Sequence, residues 1–458
     1  MADSKSISPT DITDRFLHNL RAQVQPGDHL AVALSGGVDS VVLLHLLTTF
    51  SKSMQLEISA AHVEHGISAY SSEWSAFCQS FCDHLAIPLS IHRLKIRRRP
   101  QESLEAIARE ARYQIFKHLQ ADYIVLAQHQ DDQVETLILQ LLRGAGVKGL
   151  SAMPTIRLFA PDKTIKLFRP LLNIPRSEIL SYAQLHDLSW VTDESNLETS
   201  YDRNFLRLRI LPLLEQRSPA YRKTLFRSTQ HLGEAAHLLD ELAEIDAENS
   251  IITNKLSLQR LRELQPARAK NLLRYLLAKY LIRLPSSTKL EEILRQLNSI
   301  QSDNHFRFVA DTLEIRCHHG LIEFLPANSF PELITPLVWQ GEQHMVVNPL
   351  HGTLKFTQQN NTGIDPAKLS GKIVTIRSRS GGERFQPDCK RPRRSLKKIL
   401  QEAALAPWSR NTLPLLFCED QLIWVPGIGI DCNFRVPKGD NGLVVTWHPN
   451  QFNQVSTY

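Results

Sequence analysis

Over its first 215 residues the chain alternates short apolar runs with helical patterns, and this alternation limits the fold more than any other feature. The runs fall at 30–34, 56–63, 89–96 and 123–127, and apolar positions three and four apart mark helices between them at about 40–50, 72–86 and 102–119. Short strands separated by helices predict a parallel sheet covered on both faces. Sheets of that kind bind ligands beyond the carboxyl ends of their strands. The first 215 residues are therefore expected to be an α/β domain with its site at those ends.

Two motifs stand at such ends. After the run 30–34 comes Ser35-Gly36-Gly37-Val38-Asp39-Ser40. Two adjacent glycines allow a sharp turn between a buried strand and a helix. That turn offers hydroxyls and backbone N–H groups at a helix N-terminus, an arrangement suited to phosphate. It lacks the Gly-Lys-Ser/Thr of a Walker loop and the spacing of a dinucleotide fingerprint. Asp39 would repel phosphate unless a cation lay between, and Mg²⁺, which takes carboxylate and phosphate oxygens together, is the expected one. After the run 123–127 comes His129-Gln130-Asp131-Asp132-Gln133-Val134-Glu135-Thr136, and its apolar spacing predicts a helix from about Asp131. Asp132 and Glu135 are three apart and share a helical face. Acidic residues in a first turn suit the helix dipole, but that alone does not account for a His followed by two acids at a strand end.

Weaker signals follow. Arg203 and Arg207 share one helical face after Asp193-Glu194-Ser195-Asn196, and Arg109 and Arg112 lie in an earlier helix. His62 and His65 resemble metal ligands only superficially, since no further His or Cys completes a zinc set. Cys78 and Cys82 stand i, i+4 beside Trp74, Phe77 and Phe81, as a reduced pair in a helix would. Six cysteines in 458 residues do not make a disulfide framework, so a reducing cytoplasm is the default. No apolar run approaches the roughly 20 residues that span a bilayer, and no membrane role is expected.

From 216 to 345 helical periodicity dominates, and 346–458 turns to Pro, Gly and short β-like runs with a helix near 395–404. The expected architecture is thus a catalytic domain (1–215), a helical domain (216–345) and a small, mainly β domain (346–458). Charge is uneven. Between Arg377 and Lys398 nine Lys and Arg face two acids, a net +7 that leaves −1 for the rest of a chain carrying +6. A second cluster, RLKIRRR, occupies 93–99. Localised cationic excess points to a polyanion.

The loop 35–40, at the end of the first strand of an α/β domain, resembles the pyrophosphate loop of the N-type ATP pyrophosphatases. Those enzymes cleave ATP between its α and β phosphates and adenylate an acceptor. Within that superfamily the chain is similar to the tRNA(Ile)-lysidine synthetases. The likeness is carried by HQDDQVETLILQLLRGAGVKGLSAM (129–153), EAIAREARY (105–113), Arg169-Pro170-Leu171-Leu172 and the series Asp193, Ser195-Asn196, Arg203-Asn204, Arg207. It continues in Arg379-Ser380-Gly381-Gly382-Glu383, Ser395-Leu396-Lys397-Lys398, Pro407-Trp408-Ser409-Arg410 and Val425-Pro426-Gly427.

The resemblance implies ATP and Mg²⁺ as cofactors. It implies two substrates, free L-lysine and a minor isoleucine tRNA with a CAU anticodon, and it suggests a homodimer. Ser35, Gly36, Gly37, Val38 and Ser40 would hold pyrophosphate, with Asp39 on Mg²⁺ or the substrate. Asp132 and Glu135 would bind the lysine amine and help it lose a proton, and His129 would stabilise charge at the adenylated base. Arg109, Arg112, Arg203 and Arg207 would meet ATP phosphate or the anticodon backbone, and Arg394, Lys397 and Lys398 would grip tRNA elsewhere. Two alternatives stand beside this reading. A tRNA thiolation enzyme on the same fold would need a cysteine relay, but the chain has no C-x-x-C. A non-catalytic tRNA-binding protein would leave Asp39, Asp132 and Glu135 unexplained, because carboxylates beside a phosphate site weaken plain RNA binding.

Overall fold

The computed structural model describes residues 9–449 except 67, 69, 95–103, 160–164, 253–254, 280–285, 301–305, 311–312, 327–334, 351 and 404. Most of the basic cluster at 93–99 therefore lies outside the described residues. The chain forms two compact units, 1–242 and 243–458.

In the first unit, helix α1 (Pro9–Arg21) precedes strand β1 (His29–Ala33), α2 (Val38–Met54), β2 (Glu57–Glu64), α3 (Ser71–His84), β3 (Leu89–Arg93), α4 (Leu104–Phe116) and β4 (Tyr123–Val125). There follow α5 (Gln130–Leu142), α6 (Val147–Leu150), β5 (Ile156–Leu158), β6 (Lys166–Phe168) and α7 (Arg176–Leu185). The strands order as β3-β2-β1-β4-β6-β5, parallel except for the edge strand β5. Alternation along β1 splits the core. Leu30 and Val32 pack with Leu43, Leu46 and Phe168 on one face, and Ala31 packs with Phe116, Ile124 and Leu167 on the other. The expected doubly covered parallel sheet is therefore present.

Strand order fixes the location of the site. From β1 the chain steps outward to β2 and β3, then returns to add β4 on the opposite side. The crevice of such a sheet lies where the order reverses, between β1 and β4. Leu30 pairs with Tyr123 and Val32 with Val125, so both strands end at the same level. The Ser35 loop leaves one and the His129 motif leaves the other. Beyond α7, helix α8 (Asp202–Phe205) passes through a π-helical turn (Leu206–Ile210) into α9 (Leu211–Arg217), and α10 runs from Tyr221 to Ser250.

The second unit holds separate cores. Helices at Pro266–Lys279 and Ser287–Ser299 pack on a five-stranded sheet with Ile315, Cys317 and Ile322. The helices expected after residue 216 are there, but the antiparallel strands Ile251–Ile252 and Lys255–Ser257 interrupt them, too short to leave a periodic signal. Residues 337–449 form a five-stranded and a three-stranded sheet with the short helix Leu396–Glu402. A disulfide joins Cys389 to Cys432, a pairing that the cysteine spacing did not suggest. Among the described residues no helix is long and apolar enough to cross a membrane.

Candidate active site

Gly36 shapes the loop after β1. Its φ is +86°, and a Cβ there would lie 2.7 Å from Val191 Cγ2 and 3.2 Å from Cys78 Sγ, so both conformation and space require glycine. The hydroxyls brace the turn. Ser40 Oγ donates to Gly37 O (2.9 Å), accepts from Ser35 N (3.2 Å) and lies 3.1 Å from Ser35 Oγ. Gly37 is the N-cap of α2, and Val38 and Asp39 open its first turn. The first N–H groups of a 17-residue helix thus face the crevice end of β1. His62, buried at the end of β2, bonds Leu34 O through Nδ1 at 2.9 Å, which gives it a structural role behind the loop.

Asp39 Oδ1 is buried and accepts no hydrogen bond. His129 Nε2 and Arg176 Nε each lie 3.7 Å from it. Burial raises the Asp39 pKa, and the nearby His129 and Arg176 only partly offset this. A carboxylate oxygen with an unused lone pair, beside a phosphate-shaped turn, fits Mg²⁺. Among the described residues no cluster of three His, Cys, Asp or Glu could hold an ion alone. Mg²⁺ commonly takes one carboxylate and completes its shell with phosphate oxygens and water, so the single Asp39 is sufficient.

At the start of α5, His129 is the N-cap, in extended conformation and 2% exposed. Its backbone N–H donates to Asp132 Oδ2 at 3.0 Å, so Asp132 caps its own helix. His129 Nε2 stands 3.5 Å from that carboxylate, which sets the ring between Asp39 and Asp132. Burial would raise the Asp132 pKa, but His129, Arg203, the capping N–H and Arg207 outweigh it and hold the carboxyl below its usual range. Asp132 is therefore an anion at neutral pH.

Glu135 differs from expectation. It is 1% exposed, and both of its oxygens are taken. Arg203 Nε donates to Oε2 (2.8 Å), Arg207 Nε donates to Oε1 (2.7 Å) and Arg207 Nη2 donates to Oε2 (3.0 Å). The same guanidiniums lie 3.7 and 3.6 Å from Asp132 Oδ1. So Glu135 orients two arginines toward Asp132, and each of its oxygens already carries an arginine. Arg203 and Arg207, expected on ATP phosphate or the anticodon backbone, are held at this carboxylate pair. The π-helical turn that carries Arg207 is a device often found at functional sites.

The other expected residues lie elsewhere. Arg112 Nη2 donates to His65 Nε2 at 3.1 Å, and Arg109 covers the ring of Tyr113 and donates to its hydroxyl. Burial, with Arg112 and His62 alongside, depresses the His65 pKa to about 4, so this imidazole is neutral and accepts from Arg112. Lys397 and Lys398 are exposed on the helix Leu396–Glu402 of the second unit, where Arg394 pairs with Glu402. Cys78 and Cys82 are buried, with thiol pKa values pushed up to about 12 and about 11 chiefly by burial, which removes them as a nucleophilic relay. The sequence reading missed Arg176 and Arg222. Neither carries a local signal, since each meets the site only through packing.

Three domain families match the chain: a PP-loop domain over residues 9–214, a TilS substrate-binding domain over 256–322 and a TilS substrate C-terminal domain over 374–447. The chain is 85% identical to a tRNA(Ile)-lysidine synthase from Nitrosomonas europaea over the full length of both. It is 37% identical to a tRNA(Ile)-lysidine synthase from Coxiella burnetii over 90% of this chain and 91% of that one. Among solved structures it is similar to a U34-tRNA thiolase from Methanococcus maripaludis, with a TM-score of 0.43 and 20% identity over 49% of this chain and 78% of that one.

Proposed function

The chain belongs to the tRNA(Ile)-lysidine synthase family, and from that premise we propose that it joins free L-lysine to the wobble cytidine of the minor isoleucine tRNA with a CAU anticodon. In the first step the cytidine C2 oxygen attacks the α phosphorus of ATP, an O–P bond forms and pyrophosphate leaves. In the second the lysine ε-nitrogen attacks C2, the C2–O bond to AMP breaks and the amine gives up a proton. Lysidine, AMP and pyrophosphate are the products.

The observation that carries this reading is the meeting of Asp39 and Asp132 across one buried imidazole at adjacent strand ends. Asp39 belongs to the phosphate loop and would hold Mg²⁺ through its unpartnered Oδ1. Bound there, the ion would offset phosphate charge. Ser35, Ser40 and the N–H groups from Gly36 to Asp39 would hold pyrophosphate oxygens. Asp132, an anion held in a ring of cations, would receive the lysine ammonium and position it at C2. His129 touches both carboxylates and is suited to carry the amine proton away from Asp132. Glu135 would fix Arg203 and Arg207, whose charge offsets the phosphate of the adenylated base. Arg394, Lys397 and Lys398 would contact tRNA phosphates, and base choice would rest on unstacked anticodon bases. A cytoplasmic location, where these substrates are found, is part of the proposal. A homodimer is part of the proposal, and sedimentation of the purified chain tests it.

Incorporation of labelled lysine into purified minor isoleucine tRNA, with ATP and Mg²⁺, tests the function. One AMP per lysine incorporated is the expected stoichiometry, and tRNA binding with no incorporation would overturn the reading.

A further inference from the structure

The sequence places two aspartates side by side, and the chemistry above uses only the second. Asp131 is partly buried; its Oδ2 lies 3.9 Å from His129 Nδ1, and its hydrogen bonds go to partners that Asp132 does not share. Its Oδ1 accepts from Arg222 Nε at 2.7 Å, and its Oδ2 accepts the backbone N–H of Arg176 at 3.0 Å. Arg222 sits in the first turn of α10, with its other two nitrogens on both oxygens of Glu215 and its guanidinium 4.7 Å from the Tyr221 ring centroid. One carboxylate thus ties the first turn of α5 to the starts of α7 and α10, across 45 and 91 residues of sequence. Tyr221 completes the joint by packing with Val134 and Leu211.

This joint is well placed to fix where Asp132 points. Asp132 lies one residue on in the same first turn; its Oδ2 takes the capping N–H and its Oδ1 faces Arg203 and Arg207. A shift of α5 against α10 would carry that oxygen away from Arg203 and Arg207, which lie 3.7 and 3.6 Å from it. A misplacement of about 1 Å at a reacting group costs on the order of 10²-fold. The Arg222 guanidinium is itself fixed in direction by its two-pronged pairing with Glu215, so its single Nε bond holds Asp131 in place.

We infer that Asp131 and Arg222 are positioning residues for lysine transfer, holding the first turn of α5 so that Asp132 meets the amine. The inference rests on the proposed role of Asp132. Arg222→Gln breaks the tie to α10 and leaves the Arg176 bond in place. Its KM for lysine is expected to rise about tenfold or more, while lysine-independent pyrophosphate release stays within about threefold of wild type. Arg222→Lys keeps a cation beside Asp131 but not the two-pronged bond to Glu215, and its lysine KM is expected to fall between those of wild type and Arg222→Gln. In the double variant with Asp131→Asn, the rise in lysine KM should fall short of the product of the two single effects, because both changes disturb the Arg222–Asp131 bond.

An unchanged lysine KM in Arg222→Gln overturns the inference. So does a proportional loss of both half-reactions with a lowered Tm, which would make the contact merely structural. Asp132→Asn serves as the control. If it keeps the wild-type lysine KM and transfer rate, the reading of Asp132 has failed. If it loses transfer while Arg222→Gln does not change, the positioning inference alone has failed.

Discussion

The phosphate loop and the first turn of α5 leave neighbouring strands and face each other across His129, yet their charges are managed in opposite ways. Asp39 has an oxygen with no hydrogen-bond partner and a pKa raised by burial. Asp132 and Glu135 lie among arginines, and the Asp132 pKa is lowered. The first region is left unsatisfied for a ligand to complete. The second is surrounded by guanidiniums that the protein itself supplies. The difference suits the proposed roles, in which Asp39 would take a metal ion and Asp132, kept ionised and fixed, would receive the amine.

The largest effect is expected at Asp132. Asp132→Asn should lower lysine transfer by on the order of 10³-fold, with tRNA affinity within about twofold, as read by filter binding. A collapse of affinity with normal turnover would remove Asp132 from the chemistry. Asp39→Asn should also abolish turnover, but without a loss of stability. A buried carboxylate with a raised pKa disfavours the folded state once it ionises, so Tm should be kept or raised by about 2 °C at neutral pH. The gain should shrink as pH falls through the raised pKa and vanish below about 4, where wild-type Asp39 is protonated in both states. A lower Tm at pH 7 would mean that its charge is already compensated.

Glu135→Gln sharpens the same contrast. Breaking a buried carboxylate out of an ion pair costs about 3–5 kcal/mol, and here about 2–4 is expected because Arg203 and Arg207 keep 30% and 34% side-chain exposure. Chemical denaturation measures this, and a change below about 1 kcal/mol would contradict the role given to Glu135. The smallest effect belongs to the second unit. Changing Arg394, Lys397 and Lys398 to Gln should leave turnover at saturating tRNA unchanged and reduce the salt dependence of binding by about two to three phosphate contacts.

How much the sequence foretold follows the same division. The phosphate loop was legible because its parts are neighbours. Two glycines, two hydroxyls and an Asp within six residues, after an apolar strand, leave few alternatives. The parallel sheet was legible for the same reason, since its alternation is local. The pairing of Glu135 with Arg203 and Arg207 was not legible because these partners are 68 and 72 residues away, and helical spacing says only which face Glu135 shares. Asp131 was indistinguishable from Asp132 until Arg222 and the N–H of Arg176 were found on it. The strands at 251–257 escaped because two- and three-residue runs have no period.

The most direct test of the division between the two carboxylates is to run Asp132→Asn with ATP labelled at the α phosphate, minor isoleucine tRNA and lysine, and to look for label on the RNA. If Asp39 serves adenylation and Asp132 serves lysine, AMP-labelled tRNA accumulates in the variant and turns over in wild type. If the variant yields no labelled tRNA, or passes lysine at the wild-type rate, the assignment of one carboxylate to each step is wrong.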